Sequence, residues 1–119
     1  MASKFTELVI DCAEPERLAA FWAEVLSYRV TEREEDAVLI EGPEGSGPGL
    51  LFTVVPEPKS VKNRLHIDVN PRDRDQDEEV ERLLALGARR VDIGQGEQRW
   101  VVLADPEGNE FCVLRTRVE

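Results

Sequence analysis

The chain has a single histidine, His66, in the stretch NRLHIDV over residues 63–69. A neutral imidazole can bind a metal, and an imidazole can also act as a general base near pH 7. Arg64 and Asp68 lie two residues to either side, so a strand here would point all three polar side chains to one face. Buried unpaired charge is costly, so that face is either open to water or lines a polar cavity. His66 is therefore a candidate ligand-contacting residue, with a purely structural histidine as the alternative.

The two cysteines, Cys12 and Cys112, are the other reactive side chains of the chain. A thiolate at Cys112 paired with His66 would be a nucleophile, whereas most cysteines in strands are small buried apolar residues. The residues before the first strand pattern show no secretory signal. We therefore expect two free thiols and a cytoplasmic protein.

The charge of the chain narrows the classes of partner. Lys and Arg number 15 against 25 Asp and Glu, the net charge is −10, and the isoelectric point is about 4.6. Nucleic acids and anionic membranes both need basic surfaces, and no apolar run approaches the ~18 residues of a membrane span. We expect neither partner. The acidity suits a mildly cationic small ligand, or it serves solubility alone.

Hydrophobic periodicity in the first half predicts one helix among four strands. Alternation of Leu8, Ile10 and Cys12 with polar neighbours predicts a strand over 5–12. A helix is predicted from Glu14-Pro15, because Pro suits the first helical position and apolar residues then recur at helical spacing. Three more strands are predicted over 28–33, 36–41 and 50–55, with a Gly- and Pro-rich loop over 42–49.

The second half repeats this order. A strand is predicted over 63–69, and then a helix that Asp75 or Asp77 caps and Gly87 ends. The remaining strands are predicted over 89–93, 98–104 and 110–116, with a tight turn over 105–109. The residues expected to be buried are Leu8, Ile10, Trp22, Val25, Leu65, Ile67, Leu83 and Leu84.

The two halves match at a constant offset of 59 residues, which pairs Glu7 with His66 and Thr53 with Cys112. A repeat of this length indicates a shared structural unit. We predict an α+β fold of two βαβββ modules in tandem, about 4–56 and about 62–117, within one domain over 1–119. Its eight mostly antiparallel strands would curl into a cup-shaped sheet, because each helix must cover one sheet face and so lies on the outer side.

Three stretches resemble the vicinal oxygen chelate superfamily of glyoxalases, bleomycin-resistance proteins and extradiol dioxygenases, and in particular its small bacterial glyoxalase-like domains. They are LVIDCAEPERLAAFWAEVL over 8–26, VPEPKSVKNRLHIDV over 55–69 and LADPEGNEFCVL over 103–114. Together with the βαβββ order they cover nearly the whole chain.

The resemblance implies four positions for metal ligands, at Glu7, Thr53, His66 and Cys112. Metal-using members carry His or Gln, Glu, His and Glu there, and hold a divalent ion such as Zn, Ni, Fe or Mn. Three of the four positions here carry donor atoms, those of Glu7, His66 and Cys112. Thr53 is a poor ligand, and Cys112 replaces the usual carboxylate.

The resemblance also implies a function and an assembly. We expect a protein that holds a small organic molecule in the concave sheet cavity; the alternative is a metal-dependent lyase or isomerase of glyoxalase type. Trp100 would stack on a planar ligand or cover the core. Related domains pair between chains, so a homodimer is expected. The expected cavity residues are Glu7, Thr53, Arg64, His66, Asp68, Trp100 and Cys112.

Overall fold

The computed structural model describes residues 2–92, 94 and 98–118, and the chain divides into two compact units, Met1–Pro58 and Lys59–Glu119. In the first unit the strands form one sheet in the order β1-β4-β3-β2, in which β1 and β4 are parallel and the other neighbours are antiparallel. The elements of this unit are β1 (Glu7–Cys12), α1 (Pro15–Leu26), β2 (Arg29–Glu34), β3 (Ala37–Glu41) and β4 (Gly49–Val54).

The second unit has the same order of elements and the same topology. Its sheet runs β5-β8-β7-β6, with β5 and β8 parallel. Its elements are β5 (Ile67–Val69), α2 (Gln76–Leu86), β6 (Arg89–Arg90), β7 (Val101–Ala104) and β8 (Glu110–Val113). The described residues form eight strands and two helices in two tandem βαβββ modules, which confirms the predicted α+β fold. The cup-shaped curvature stays a prediction.

Helix α1 covers one face of the first sheet. Pro15 occupies its first turn, and Ser27 ends it in the left-handed conformation at φ 56°. The helix contacts β3 and β4. Its buried stripe includes Phe21 and Trp22, whose rings meet edge to face at 5.4 Å. The opposite face of this sheet is therefore left for other contacts.

Helix α2 is capped more completely. Of the two candidate caps it is Asp75 whose carboxylate accepts from the backbone N–H of Glu78 at 2.9 Å, while the Glu78 side chain accepts from the Asp75 N–H. This is a capping box. Gly87 ends the helix at φ 122°, where a glycine is favoured. None of the helices in the described part of the chain is long and apolar enough to span a membrane.

The connection between the last two strands is held by different residues in the two units, over 42–48 in the first and 105–109 in the second. In the first, the Tyr28 hydroxyl donates to the carbonyls of Ser46 and Pro48, and burial raises the pKa of Tyr28. The Tyr28 ring passes so close to Gly42 that a Cβ there would lie 2.6 Å from it. In the second, the buried Asp105 carboxylate accepts from the backbone N–H groups of Glu107 and Asn109.

The predicted strand over 63–69 is largely wrong, because only Ile67–Val69 is strand. The backbone N–H of Asn63 donates instead to the Glu110 carboxylate at 2.9 Å, which takes this segment out of the ladder. Leu65, expected to be buried, is 82% exposed. The predicted strand over 98–104 starts only at Val101, so Trp100 precedes it.

Burial follows the expected pattern at the sheet centres and helices and weakens at the edges. Trp22, Val25 and Leu83 are buried as predicted. The other four expected core residues, apart from Leu65, are only partly buried: Leu8, Ile10, Ile67 and Leu84. Strands β1 and β5 each lie at the edge of their sheet, where fewer neighbours cover a side chain. Strand β6 is shorter than the predicted 89–93, and Ile93 lies outside the described residues.

Candidate functional site

The face of the first sheet turned away from α1 carries side chains in cross-strand rows. Pairing of β1, β4, β3 and β2 places Val9, Leu51, Leu39 and Glu32 in one row. The next row consists of Asp11, Thr53, Ala37 and Glu34. Because strand side chains alternate between faces, both rows point the same way. Carboxylates therefore stand on the outer strands, and mostly apolar side chains on the two central ones.

This face forms a cavity of about 210 Å³. Its walls carry three carboxylates, Glu7, Glu32 and Glu34, and its floor consists of Ala37, Leu39 and Leu51. Thr53, on the same face, donates from Oγ1 to Asp11 Oδ1 at 3.2 Å. The cavity offers negative charge around an apolar base, which suits a small organic cation better than an anion.

The second sheet brings together three potential metal donors, His66, Asp68 and Cys112. His66, immediately before β5, places Nε2 at 3.2 Å from Asp68 Oδ1. Asp68 is the direct partner of Cys112 in the parallel pair β5–β8. One donor atom from each residue lies within 4.8 Å of the other two. The family resemblance implied Glu7, His66 and Cys112 as donors, and Asp68 was predicted in the cavity without a metal role. The structure places His66 and Cys112 in this cluster, and Glu7 lies in the first unit.

Burial differs within this donor triad of His66, Asp68 and Cys112. The side chains of His66 and Asp68 are 45% and 48% exposed, whereas Cys112 is buried. Burial raises the pKa of the Cys112 thiol, and the adjacent Asp68 carboxylate raises it further by its charge and a hydrogen bond. A thiol held protonated in this way is a weak nucleophile. The triad has the composition of a metal-binding site.

A partly buried ion pair joins Glu110, on the same strand as Cys112, to Lys59 in the segment before β5. Lys59 Nζ is 3.1 Å from Glu110 Oε2, and the two side chains are 18% and 15% exposed. Lys59 also donates to the carbonyl of Val61. Burial raises the pKa of the Glu110 carboxyl, but the hydrogen bond from Asn63 and the Lys59 contacts outweigh burial and leave the pKa below its usual value. These contacts fix the segment that leads to His66.

Arg64 and Trp100, the other predicted cavity residues of the second unit, lie two residues before His66 and one residue before β7. Arg64 is exposed, and Trp100 is 39% exposed in the segment before β7. Gln76, the first residue of α2, donates from Nε2 to the carbonyls of Arg99 and Val113 at 2.7 and 3.0 Å. This amide holds the residue before Trp100 in place. Glu7 and Thr53 belong to the first unit and the other five to the second.

The strand register corrects the single 59-residue offset. Thr53 and Cys112 are 59 residues apart, but their partners in the parallel strands, Asp11 and Asp68, are only 57 apart. When β4 is aligned with β8 at the offset of 59, β1 aligns with β5 at an offset of 57. At that offset the residue of the first unit that corresponds to His66 is Val9, two residues after Glu7. A shift of two keeps every side chain on its face, so the predicted faces survive the correction.

Several residues at these sites escaped the sequence analysis. Glu32 and Glu34 lie on β2, which was predicted without functional residues, although their period-2 spacing was a visible signal. Lys59 lies between the two predicted modules, about 4–56 and about 62–117, where no functional residue was predicted. Its pairing with Glu110 spans 51 residues, and no local pattern indicates such a contact.

Comparison with known proteins identifies the fold. A family profile described as a glyoxalase-like domain matches residues 7–114. No curated protein matches the chain at a significant level.

Solved structures align over nearly the full length. A glyoxalase/bleomycin resistance protein/dioxygenase family enzyme from Burkholderia phytofirmans PsJN shares 19% identity, with a TM-score of 0.71 over 93% of this chain and 97% of that one. The fosfomycin resistance protein FosX from Listeria monocytogenes shares 17% identity, with a TM-score of 0.73 over 100% and 95%. A mutant of that protein, in complex with Mn(II) and 1S,2S-dihydroxypropylphosphonic acid, shares 16%, with a TM-score of 0.72 over 99% and 93%. At these identities the likeness shows a common fold.

Proposed function

The chain belongs to the glyoxalase-like domain family, and from this premise we propose that it binds a small organic molecule in the cavity of its first sheet. The observation that carries the proposal is the lining of that cavity. Glu7, Glu32 and Glu34 provide carboxylates around an apolar floor. Ligand sites in proteins combine apolar surface with convergent polar groups, and this cavity has three carboxylates and three apolar residues.

The chemistry of the lining favours a compact organic cation. Residues 1–58 contain 12 acidic and 4 basic residues, a net charge of −8, whereas residues 59–119 contain 13 and 11, a net charge of −2. The negative field therefore centres on the unit that holds the cavity, where it attracts cations. A volume of about 210 Å³ is below the ~300–1,000 Å³ of drug-sized sites. An amine with a short alkyl or aryl body fits.

Benzylamine and benzoate, which match in size and differ in charge, test this proposal by calorimetry and by NMR shift mapping. We expect the ammonium ion to bind and the carboxylate to show no binding. The Glu32→Gln/Glu34→Gln double variant should weaken benzylamine binding about tenfold, and Glu44→Gln, an exposed control in the 42–49 loop, should leave it unchanged. Equal affinity for the two probes, or no binding of either, would contradict the proposal.

A second candidate function is metal-dependent catalysis of the lyase or isomerase type, and the donor triad is the observation that favours it. A divalent ion held by His66, Asp68 and Cys112 would supply a Lewis acid that polarises a substrate oxygen. His66 and Asp68 are half exposed, which leaves room for substrate beside such an ion. Elemental analysis of the purified protein tests this candidate, with about one equivalent of Zn, Ni, Fe or Mn expected. That Glu7, Thr53, Arg64 and Trp100 join the same site stays a prediction.

We also propose that the protein is a cytoplasmic homodimer. Strand β1 is an edge strand with Phe5 and Val9 exposed beside it, at 66% and 51%. An unpaired edge with exposed apolar side chains is a template for pairing with another chain. Sedimentation at micromolar concentration should give twice the chain mass of 13.4 kDa. Monomer alone would contradict the dimer and leave the ligand proposal intact.

A further inference from the structure

We infer that His66, Asp68 and Cys112 form a zinc-selective site within the second unit alone, in which Asp68 is a ligand and Cys112 decides the choice of metal. The inference rests on the second candidate function, metal dependence, and adds to it the preferred metal and the role of Cys112 in that preference. It departs from the family pattern, in which the ligands come from four strands and end in a carboxylate.

The spacing of the three donors matches a common ion. Zinc binds nitrogen and oxygen at about 2.0–2.2 Å and thiolate at about 2.3 Å, so tetrahedral ligands lie roughly 3.3–3.7 Å apart. His66 Nε2 and Asp68 Oδ1 are already 3.2 Å apart, and the three donor atoms all lie within 4.8 Å of one another. Small side-chain rotations therefore suffice to bring all three onto one ion.

The backbone under the site is held by regular pairing. Asp68 and Cys112 are neighbours in the β5–β8 ladder, and the Leu114 N–H donates to the Val69 carbonyl at 2.8 Å just beyond them. Val102, the partner of Cys112 on its other side, is buried. A ligand pair on such strands keeps its spacing without a metal, which lowers the cost of binding.

The thiol sets the selectivity. Thiolate ligands favour zinc among the common divalent ions, whereas sites built from carboxylates and water suit magnesium and manganese. Cys112 stands where the resemblance expects a carboxylate, so the site should prefer zinc to manganese. Three protein ligands leave a fourth tetrahedral position open for water or an oxygen of the substrate, as in catalytic zinc sites.

Metal titration of the chelator-treated full chain tests the ligand set. Zn²⁺ affinity is measured by competition with a chromophoric chelator, and Co²⁺ reports thiolate coordination through its charge-transfer absorption. We expect one equivalent of either ion and a thiolate band. Loss of a residue that only hydrogen-bonds to a metal ligand already lowers metal affinity about 10–100-fold. Loss of a ligand itself should cost more, so His66→Ala and Asp68→Asn should each weaken Zn²⁺ binding at least about 100-fold.

The two cysteines provide a matched control. Both are buried, at 4% for Cys12 and 5% for Cys112. Cys112→Ser should remove the Co²⁺ thiolate band and Cys12→Ser should retain it. Thermal melting checks that the variants fold. Because Asp68 is half exposed, Asp68→Asn still tests the site if replacement of the buried Cys112 thiol disturbs packing. Cys112→Asp should lower the preference for Zn²⁺ over Mn²⁺ at least about tenfold.

Each outcome separates the inference from the function on which it rests. Stoichiometric metal that binds equally well to Asp68→Asn and Cys112→Ser would overturn the ligand set and leave metal dependence standing. Failure of the wild-type chain to bind Zn²⁺, Co²⁺ or Mn²⁺ would overturn both. Zn²⁺ and Mn²⁺ bound with equal affinity would overturn the selectivity.

Discussion

The two units share one topology and differ in the chemistry of matching positions. In each, the first strand runs parallel to the last, and a carboxylate on the first faces a small polar side chain on the last. In the first unit the pair is Asp11 and Thr53, joined by a hydrogen bond of 3.2 Å. In the second it is Asp68 and Cys112, with His66 beside them. The strand register brings the two members of each pair together, and the identity of those residues decides whether they can bind a metal ion.

The open faces differ in the same way. On the first sheet, glutamates on the edge strands surround an apolar floor. On the second, β5, β8 and the segment before β5 carry the donor triad and the partly buried pair of Lys59 and Glu110. Duplication of one fold thus provides two surfaces, one suited to an organic cation and one to a metal ion.

The largest expected effect is the creation of a second metal site. Val9→His together with Thr53→Cys places in the first unit, around Asp11, the donors that the second unit has at His66 and Cys112. We expect the double variant to bind two equivalents of Co²⁺ with roughly twice the thiolate absorption. Thr53→Cys alone should remain at one equivalent. One equivalent in the double variant would mean that register is insufficient to define the site.

The next effect concerns the connections between strands. Asp105 is 1% exposed and accepts from two backbone N–H groups and the Asn109 amide. Asp105→Ala leaves those donors without this partner in a partly buried turn, so we expect a loss of about 2 kcal/mol in unfolding free energy by urea denaturation.

Tyr28→Phe is the matched change in the first unit, because it removes a hydroxyl that donates to two loop carbonyls. Those carbonyls are partly accessible to water, so the expected loss is about 1 kcal/mol. Equal losses would mean that burial does not distinguish the two connections.

A third comparison uses two ion pairs of similar length. Lys59 and Glu110 are 3.1 Å apart with side chains 18% and 15% exposed, and Arg33 and Glu16 are 2.9 Å apart with side chains 59% and 63% exposed. Glu110→Gln should cost about 2 kcal/mol, because it leaves a cation mostly buried without its counter-charge. Glu16→Gln should cost less than about 0.5 kcal/mol. Chemical denaturation at neutral pH measures both, and a larger loss for the exposed pair would contradict this account.

The smallest effect distinguishes the two helix starts. Asp75 accepts the N-terminal hydrogen bond of α2, whereas Glu14 makes no side-chain capping bond to α1 and pairs with Arg17 at 3.4 Å. Asp75→Ala should therefore lower the unfolding free energy by about 1 kcal/mol, and Glu14→Ala by a few tenths. Thermal melts with the two variants side by side test the difference, and equal melting temperatures would count against it.

The helices and most strands were predictable because their signals are local. Pro15, Asp75 and Gly87 mark helix ends through conformations and hydrogen bonds that they make with near neighbours. Trp22 and Leu83 recur at helical spacing with the rest of their stripes, so their burial follows from amphipathicity. The resemblance to the family added the role of four positions as candidate metal ligands, Glu7, Thr53, His66 and Cys112.

The errors arose where alternation was the only signal. Leu65 alternates as a strand residue should, yet the contacts of Lys59 and Asn63 with Glu110 hold its segment outside the sheet. Glu110 is 51 residues from Lys59 and 47 residues from Asn63, so no local sequence pattern can predict these contacts. Trp100 precedes β7 in the same way, in a segment that the Gln76 amide holds through the Arg99 carbonyl.

The sequence by itself determined the fold class and the repeat, because periodicity of two or 3.6 residues is a property of the local backbone. Only the tertiary structure decided which of the candidate side chains meet. Strand register, which no single strand encodes, made Asp68 the neighbour of Cys112 and shifted the matching position of His66 from Glu7 to Val9. A site composed of several strands depends on that pairing, since two residues of slip keep the face and change every partner.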